Sequence, residues 1–157
     1  MFSVKYKNFL SDFGKGRTMV LSTSEDNIVS SRMMSVVEIN GIFYFQTDIT
    51  FKKYRQLTKN HNVALCIDNI QIEGTCEELG HPLQDAVFCA RFQECFKGSY
   101  DAYTSLENER LFCVKPTYIE RWIYIYKVSL ILKLFLLIAR SILLVSMLVY
   151  KCNAVCY

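Results

Sequence analysis

The pair Asn40-Gly41, set between the alternating runs 27–39 and 42–47, most constrains how this chain can fold. Asn-Gly suits the left-handed backbone of a two-residue hairpin, so the flanking runs become antiparallel neighbours. The second run, Ile42-Phe43-Tyr44-Phe45-Gln46-Thr47, ends on a hydroxyl residue, and a short turn leads to a helix. Thr50 is the expected N-cap of that helix, and Lys52 and Lys53 fall in its first turn. Free backbone N–H groups and the positive end of the helix dipole would face the same point as the lysines, which suits a phosphate. Arg32, on the preceding strand, is placed to reach the same anion with its planar fork of donors.

The remaining pattern is that of an antiparallel meander with helical covers. Met1 to Phe13 is expected to be a short amphipathic helix carrying Phe2, Tyr6, Phe9 and Leu10 on one side, ended by Gly14-Lys15-Gly16. Strands are expected over Thr18 to Thr23, Asn27 to Ile39, Ile42 to Thr47, Val63 to Ile67 and Ile70 to Leu79, with Asp68-Asn69 joining the last two. Pro82 opens a helix running to about Phe96, with Val87, Cys89, Ala90, Phe92 and Phe96 as its apolar positions. Leu111 to Ile125 is a last strand or bent strand pair, interrupted at Pro116. Mainly β with helices, an α+β barrel, is the natural architecture.

A chain of 157 residues with 52% apolar residues has the length and composition for one packed domain. Residues 1–120 carry 13 Lys and Arg against 15 Asp and Glu, whereas residues 121–157 carry five basic groups and no acidic ones. The mildly acidic body argues against nucleic-acid binding through a basic surface. Seven cysteines without a CxxC pair, alongside two histidines, imply no zinc site. Their odd number and irregular spacing, with no secretory signal, suggest reduced thiols in a cytoplasmic setting. Cys66 reads as a small core residue.

The order of residues from about Gly16 to Cys76 resembles the pyridoxamine 5′-phosphate oxidase family, whose split β-barrel binds flavin mononucleotide (FMN). In that family an arginine begins a segment whose backbone lines the flavin, and Arg32-Met33-Met34-Ser35 through Val37 occupies this place. Gln46 and Thr47 fall at the family's strand end, and Lys52 and Lys53 at its phosphate-binding basic pair. Asn69 lies where the family can place an amide near the flavin. Three positions depart from the family pattern: Val37 where a lysine is common, Gln46 where a tyrosine is frequent, and Phe51 where a serine is usual. The resemblance implies residues 1–125 as an FMN-binding split-barrel domain and a homodimer with the flavin at the subunit interface. A flavin-dependent oxidoreductase acting on a small-molecule substrate is the function it implies. The alternative is a flavin or haem binding module without turnover.

Several of these residues also have a plainer reading. Arg32 in a strand suits a solvent-facing residue paired with Glu38 or another carboxylate, and Lys52, Lys53 and Arg55 suit a solvated helix face. Trp122 reads either as a cover for the partner's cofactor or as core. His61 and His81 have no serine or cysteine partner at a suggestive spacing, so no nucleophile is assigned. From Ile123 to Tyr150 the sequence is almost wholly apolar, and residues 126–157 form a tail unlike the body. An apolar helix there could span a membrane through Leu134 to Tyr150, at a cost of roughly 2.5 to 3.5 kcal/mol for Arg140 in the hydrocarbon. Packing against another subunit and an altered reading frame after about Tyr124 are the other two readings.

Overall fold

The computed structural model describes residues 2–124 and 152–156. The first helix, α1 (Phe2–Phe13), is followed by three consecutive strands, β1 (Gly16–Glu25), β2 (Ile28–Ile39) and β3 (Ile42–Asp48). Helix α2 (Lys52–Lys59) leads to β4 (Asn62–Ile67) and β5 (Ile70–Gly80). A 3-10 turn (Pro82–Gln84), α3 (Ala86–Cys95) and α4 (Lys97–Tyr103) precede the long β6 (Glu109–Tyr124), and β7 (Cys152–Cys156) comes last. Six strands run in the order β3-β2-β1-β4-β5-β6, and β3 pairs with β6 to close them into an α+β barrel.

Turn chemistry sets this meander. Asn40 and Gly41 both take positive φ, 54° and 86°, as a hairpin of their kind requires. Gly14 at φ 79° stops α1. That helix plugs one end of the barrel: Phe9 and Phe13 are buried, Phe13 meets Phe43 edge-on at 5.2 Å, and the Tyr6 hydroxyl donates to Gly41 O at 2.7 Å. Alternation then fills the core with Met19, Leu21, Met34, Val36, Phe43, Phe45, Leu65 and Ile72. Cys66 falls on the opposite face of its strand from Leu65 and is only partly buried, contrary to the core reading.

Three further expectations are corrected. The single helix from Pro82 to Phe96 is broken up, because Asp85 accepts from Phe88 N at 2.8 Å and caps a new helix, α3. Phe88 and Phe92 face the core, while Val87 is exposed. Pro116 does not interrupt β6; it sits opposite Gly74, where a register shift takes up the irregularity. Finally, Thr50 does not cap α2, whose N-cap position is held by Phe51.

Strand β7 pairs with Glu120–Tyr124 of β6, so the end of the apolar tail adds a strand to the sheet. The expected helix over Leu134 to Tyr150, with its three readings, lies outside the described residues. Among the described residues no helix is long and apolar enough to cross a membrane.

Candidate functional site

The barrel is split where β2 and β3 diverge. Strand β2 pairs with β1 from Ile28 to Val37, but with β3 only through Val37, Glu38 and Ile39. Along its other edge β3 pairs with β6 from Phe43 to Asp48. Among the described residues, the β3-facing edge of β2 from Arg32 to Val36 therefore has no strand partner. Alternate backbone N–H and C=O groups along it point into the gap.

That gap is a cleft of about 330 Å³, within the size range of small-molecule sites. Met33, Met34 and Ser35 line one wall, and Gln46, Thr47, Asp48 and Glu109 the other. The start of α2 contributes Phe51 and Lys53.

Thr47 is 2% exposed, and its Oγ1 has no hydrogen-bond partner among the described residues. An orphaned buried hydroxyl costs about 1–3 kcal/mol, which a bound acceptor would recover. Lys53 is half-buried and makes no ion pair among the described residues. Burial holds its ammonium below the ordinary lysine range, and the nearby Arg32 charge pushes the same way against Glu109 and Asp48. Its Nζ lies 4.6 Å from the Phe51 ring centroid, a cation–π contact.

Arg32 does not line the cleft. Its Nη1 donates to Thr23 Oγ1 at 2.6 Å, and its Nη2 to Gln56 Oε1 at 2.9 Å, beneath α2. Burial lowers its pKa from the ordinary arginine value. Pairing with Glu38 is not seen; that carboxylate accepts from Gly41 N at 2.6 Å instead. Arg32 is thus a fixed positive charge behind Lys53, with three of its hydrogen bonds spent on protein.

Lys52 faces elsewhere. It lines a separate open groove with Thr50, Tyr54 and Arg55, as expected for neighbours about 100° apart around a helix. Thr50 gives both its N–H, at 2.7 Å, and its hydroxyl, at 2.6 Å, to Asp48 Oδ1. The N-cap is Phe51, which supplies no side-chain cap, so the helix start keeps its pull on an anion. Gln46 is buried and accepts from Thr104 Oγ1 at 3.0 Å. Asn69 sits in the β4–β5 turn, donates to Trp122 O at 2.6 Å, and is not among the lining residues. Trp122 itself is 39% exposed rather than core.

The sequence reading missed Glu109. It begins β6 directly opposite Asp48, is 4% exposed, and leaves Oε2 without a partner among the described residues. Burial, with the Asp48 charge, pushes its carboxyl up to about 7, while Lys53 pulls it down. Nothing in the local run Asn108-Glu109-Arg110 separates it from a surface glutamate.

Comparison with known proteins decides the lineage. The pyridoxamine 5′-phosphate oxidase family profile matches residues 5–123. The chain belongs to this family. Solved structures with the family's barrel superpose well. General Stress Protein 26 from Bacillus anthracis strain Sterne is 22% identical, with 76% of this chain and 92% of that one covered and a TM-score of 0.58. A heme storage protein, HutZ, from Vibrio cholerae is 15% identical over 72% and 88%, with a TM-score of 0.57. A FAD-binding protein from Mesorhizobium loti is 12% identical over 66% and 83%, with a TM-score of 0.53. Likeness at these identities shows the fold alone. A search of curated proteins finds no match. Within the pyridoxamine 5′-phosphate oxidase family frame, the cleft between β2 and β3 is the place where the sequence put a phosphate-bearing ligand. Of the four side chains expected around the phosphate, Thr47 and Lys53 meet there, Arg32 backs them, and Lys52 turns away.

Proposed function

We propose that this cleft binds FMN and that the protein is a flavin-dependent oxidoreductase acting on a small molecule. The observation that carries the reading is the β2 edge facing a threonine hydroxyl and a half-buried lysine, which among the described residues have no strand partner, no hydrogen bond and no ion pair respectively. A planar heterocycle with polar edges can use the backbone of Met33, Met34 and Ser35, and a phosphate can use Thr47, Lys53 and the start of α2. Arg32 adds positive potential from behind, and Lys52 contributes at longer range. Bound FMN would supply the hydride or electron-pair chemistry. The protein's part is to hold the ring, shape the space beside it and exclude water, so no side chain need act as acid or base.

A second copy of the chain completes the cleft in this reading. Met33 (61% exposed), Phe51 (53%), Tyr103 (54%) and Leu106 (45%) crowd its mouth, a cluster of large apolar groups that suits a homodimer interface. Asn69 is outside the cleft of its own subunit, so a flavin contact by Asn69 would be made across the dimer. Five free cysteines among the described residues suit a reducing, cytoplasmic setting.

The absorbance of the purified protein tests both halves of the proposal. A yellow protein carrying a ligand of FMN mass, bleached anaerobically by a nicotinamide donor and restored in air, is the expected result. A stably coloured flavoprotein with no redox response would leave only a binding module. A haem spectrum would remove the flavin as well, although neither His61 nor His81 lines the cleft.

A further inference from the structure

Two carboxyl groups line the cleft, and they are held differently. Asp48 Oδ1 accepts two hydrogen bonds from Thr50, which keep it below the usual carboxylate range. Glu109 has the opposite surroundings: it is almost wholly buried, and its Oε2 meets no donor among the described residues. Asp48 and Glu109 face each other across the β3–β6 ladder, so their side chains leave the same face and share one space. The titratable groups lining that space are Asp48 from β3, Lys53 from α2 and Tyr103 from α4, while Arg32 of β2 acts through Lys53.

We propose that Glu109 sets the preference of this cleft for phosphorylated over phosphate-free flavin, donating a hydrogen bond to the phosphate when protonated and opposing it when ionised. The proposal rests on the FMN reading given above. An ionised Glu109 has two effects: it repels the phosphate directly, and it competes for the Lys53 charge. A neutral Glu109 has neither, and its O–H satisfies an acceptor in a buried place. Because the carboxyl of the free protein sits near neutrality, at about 7, the change falls within an accessible range. A nearby phosphate raises it further, so FMN binding above neutral pH takes up protons. Linkage then weakens binding by at most about tenfold per pH unit. The second ionisation of a phosphate monoester, near pH 6, runs the other way, so the decisive quantity is the ratio between parent and Glu109→Gln.

Dissociation constants for FMN and riboflavin are to be measured by flavin fluorescence between pH 6 and 8.5, on both proteins. The FMN ratio is expected to stay near one at pH 6 and to rise to roughly five- to tenfold in favour of Glu109→Gln at pH 8.5. The riboflavin ratio should not change with pH. Calorimetry on the parent alone, at pH 7.5 in buffers of different ionisation heat, should show proton uptake with FMN and none with riboflavin. That measurement decides the matter if Glu109→Gln fails to fold. A flat FMN ratio, or FMN binding without proton uptake, overturns the role of Glu109 and leaves the flavin reading intact. Failure of both flavins to bind the parent at any pH overturns the flavin reading, and the role of Glu109 with it.

Discussion

The closed and split flanks of the barrel make different use of the same strands. On the closed flank, β1, β4, β5 and β6 are paired edge to edge, and Leu21, Leu65, Ile72 and Ile119 fill the space beneath them. Packing at Gly74 leaves no room for a methyl group, since a Cβ there would come 2.5 Å from Lys115 O. On the split flank, among the described residues, one strand edge is unpaired, a half-buried lysine forms no ion pair, and two buried oxygens lack partners. The interactions missing at the split are those a ligand can supply.

The largest effect should come from the closed flank. Leu65→Ala removes a fully buried side chain and should lower unfolding free energy by about 2–5 kcal/mol, read by chemical denaturation. FMN affinity per folded molecule should hardly change. A comparable loss of affinity would mean that the two flanks are coupled.

Lys53→Ala should do the reverse. Losing one charged hydrogen bond to the phosphate should weaken FMN by about 1.5–3 kcal/mol, with little change in stability and little effect on riboflavin. Lys52→Ala should cost much less, because that side chain faces the neighbouring groove. Equal losses from the two lysines, measured by titration, would place the phosphate outside the cleft.

The two lysines also show how far the sequence could be read. The Asn40-Gly41 hairpin, the strand ending at Thr47 and the helix beginning with two lysines are local features, set by backbone preference and spacing, and they stand where expected. Which lysine faces the ligand depends on the rotation of α2 against β3, a tertiary quantity. Thr50 was expected as the cap because of its hydroxyl, but Asp48 two residues earlier captures that group. Glu109 escaped notice for the same reason: its chemistry comes from Asp48 and Lys53, distant in sequence and adjacent only once β3 and β6 pair.

Glu109 gives the split flank a pH signature that the closed flank lacks. Its folded carboxyl, at about 7, lies above its ordinary value of 4.5, so between these values the native state holds more protons than the unfolded chain. Stability should therefore fall as pH rises from 4.5 to about 7, then level off, by an amount on the order of 3 kcal/mol. Glu109→Gln should remove that slope, gaining on the parent at pH 8 and not at pH 4. Denaturation curves at the two pH values check the sign. A parent whose stability changes no more than that of the variant would mean the carboxyl is already ionised at low pH.

The smallest expected effect concerns the start of α2, where the chain departs from its family. Phe51 holds the N-cap position with φ −81° and ψ 147°, an extended geometry that serine adopts readily, yet it offers the helix no acceptor. Phe51→Ser should supply one and raise stability by about 1 kcal/mol, seen as a higher Tm without ligand. The same change removes the ring beside Lys53 Nζ and exposes that charge to water. A freed lysine and a new hydroxyl both favour a phosphate, so FMN affinity should rise slightly. A lower Tm would show instead that the half-exposed Phe51 ring contributes more through Lys53, or through a second copy of the chain, than a cap returns to the helix.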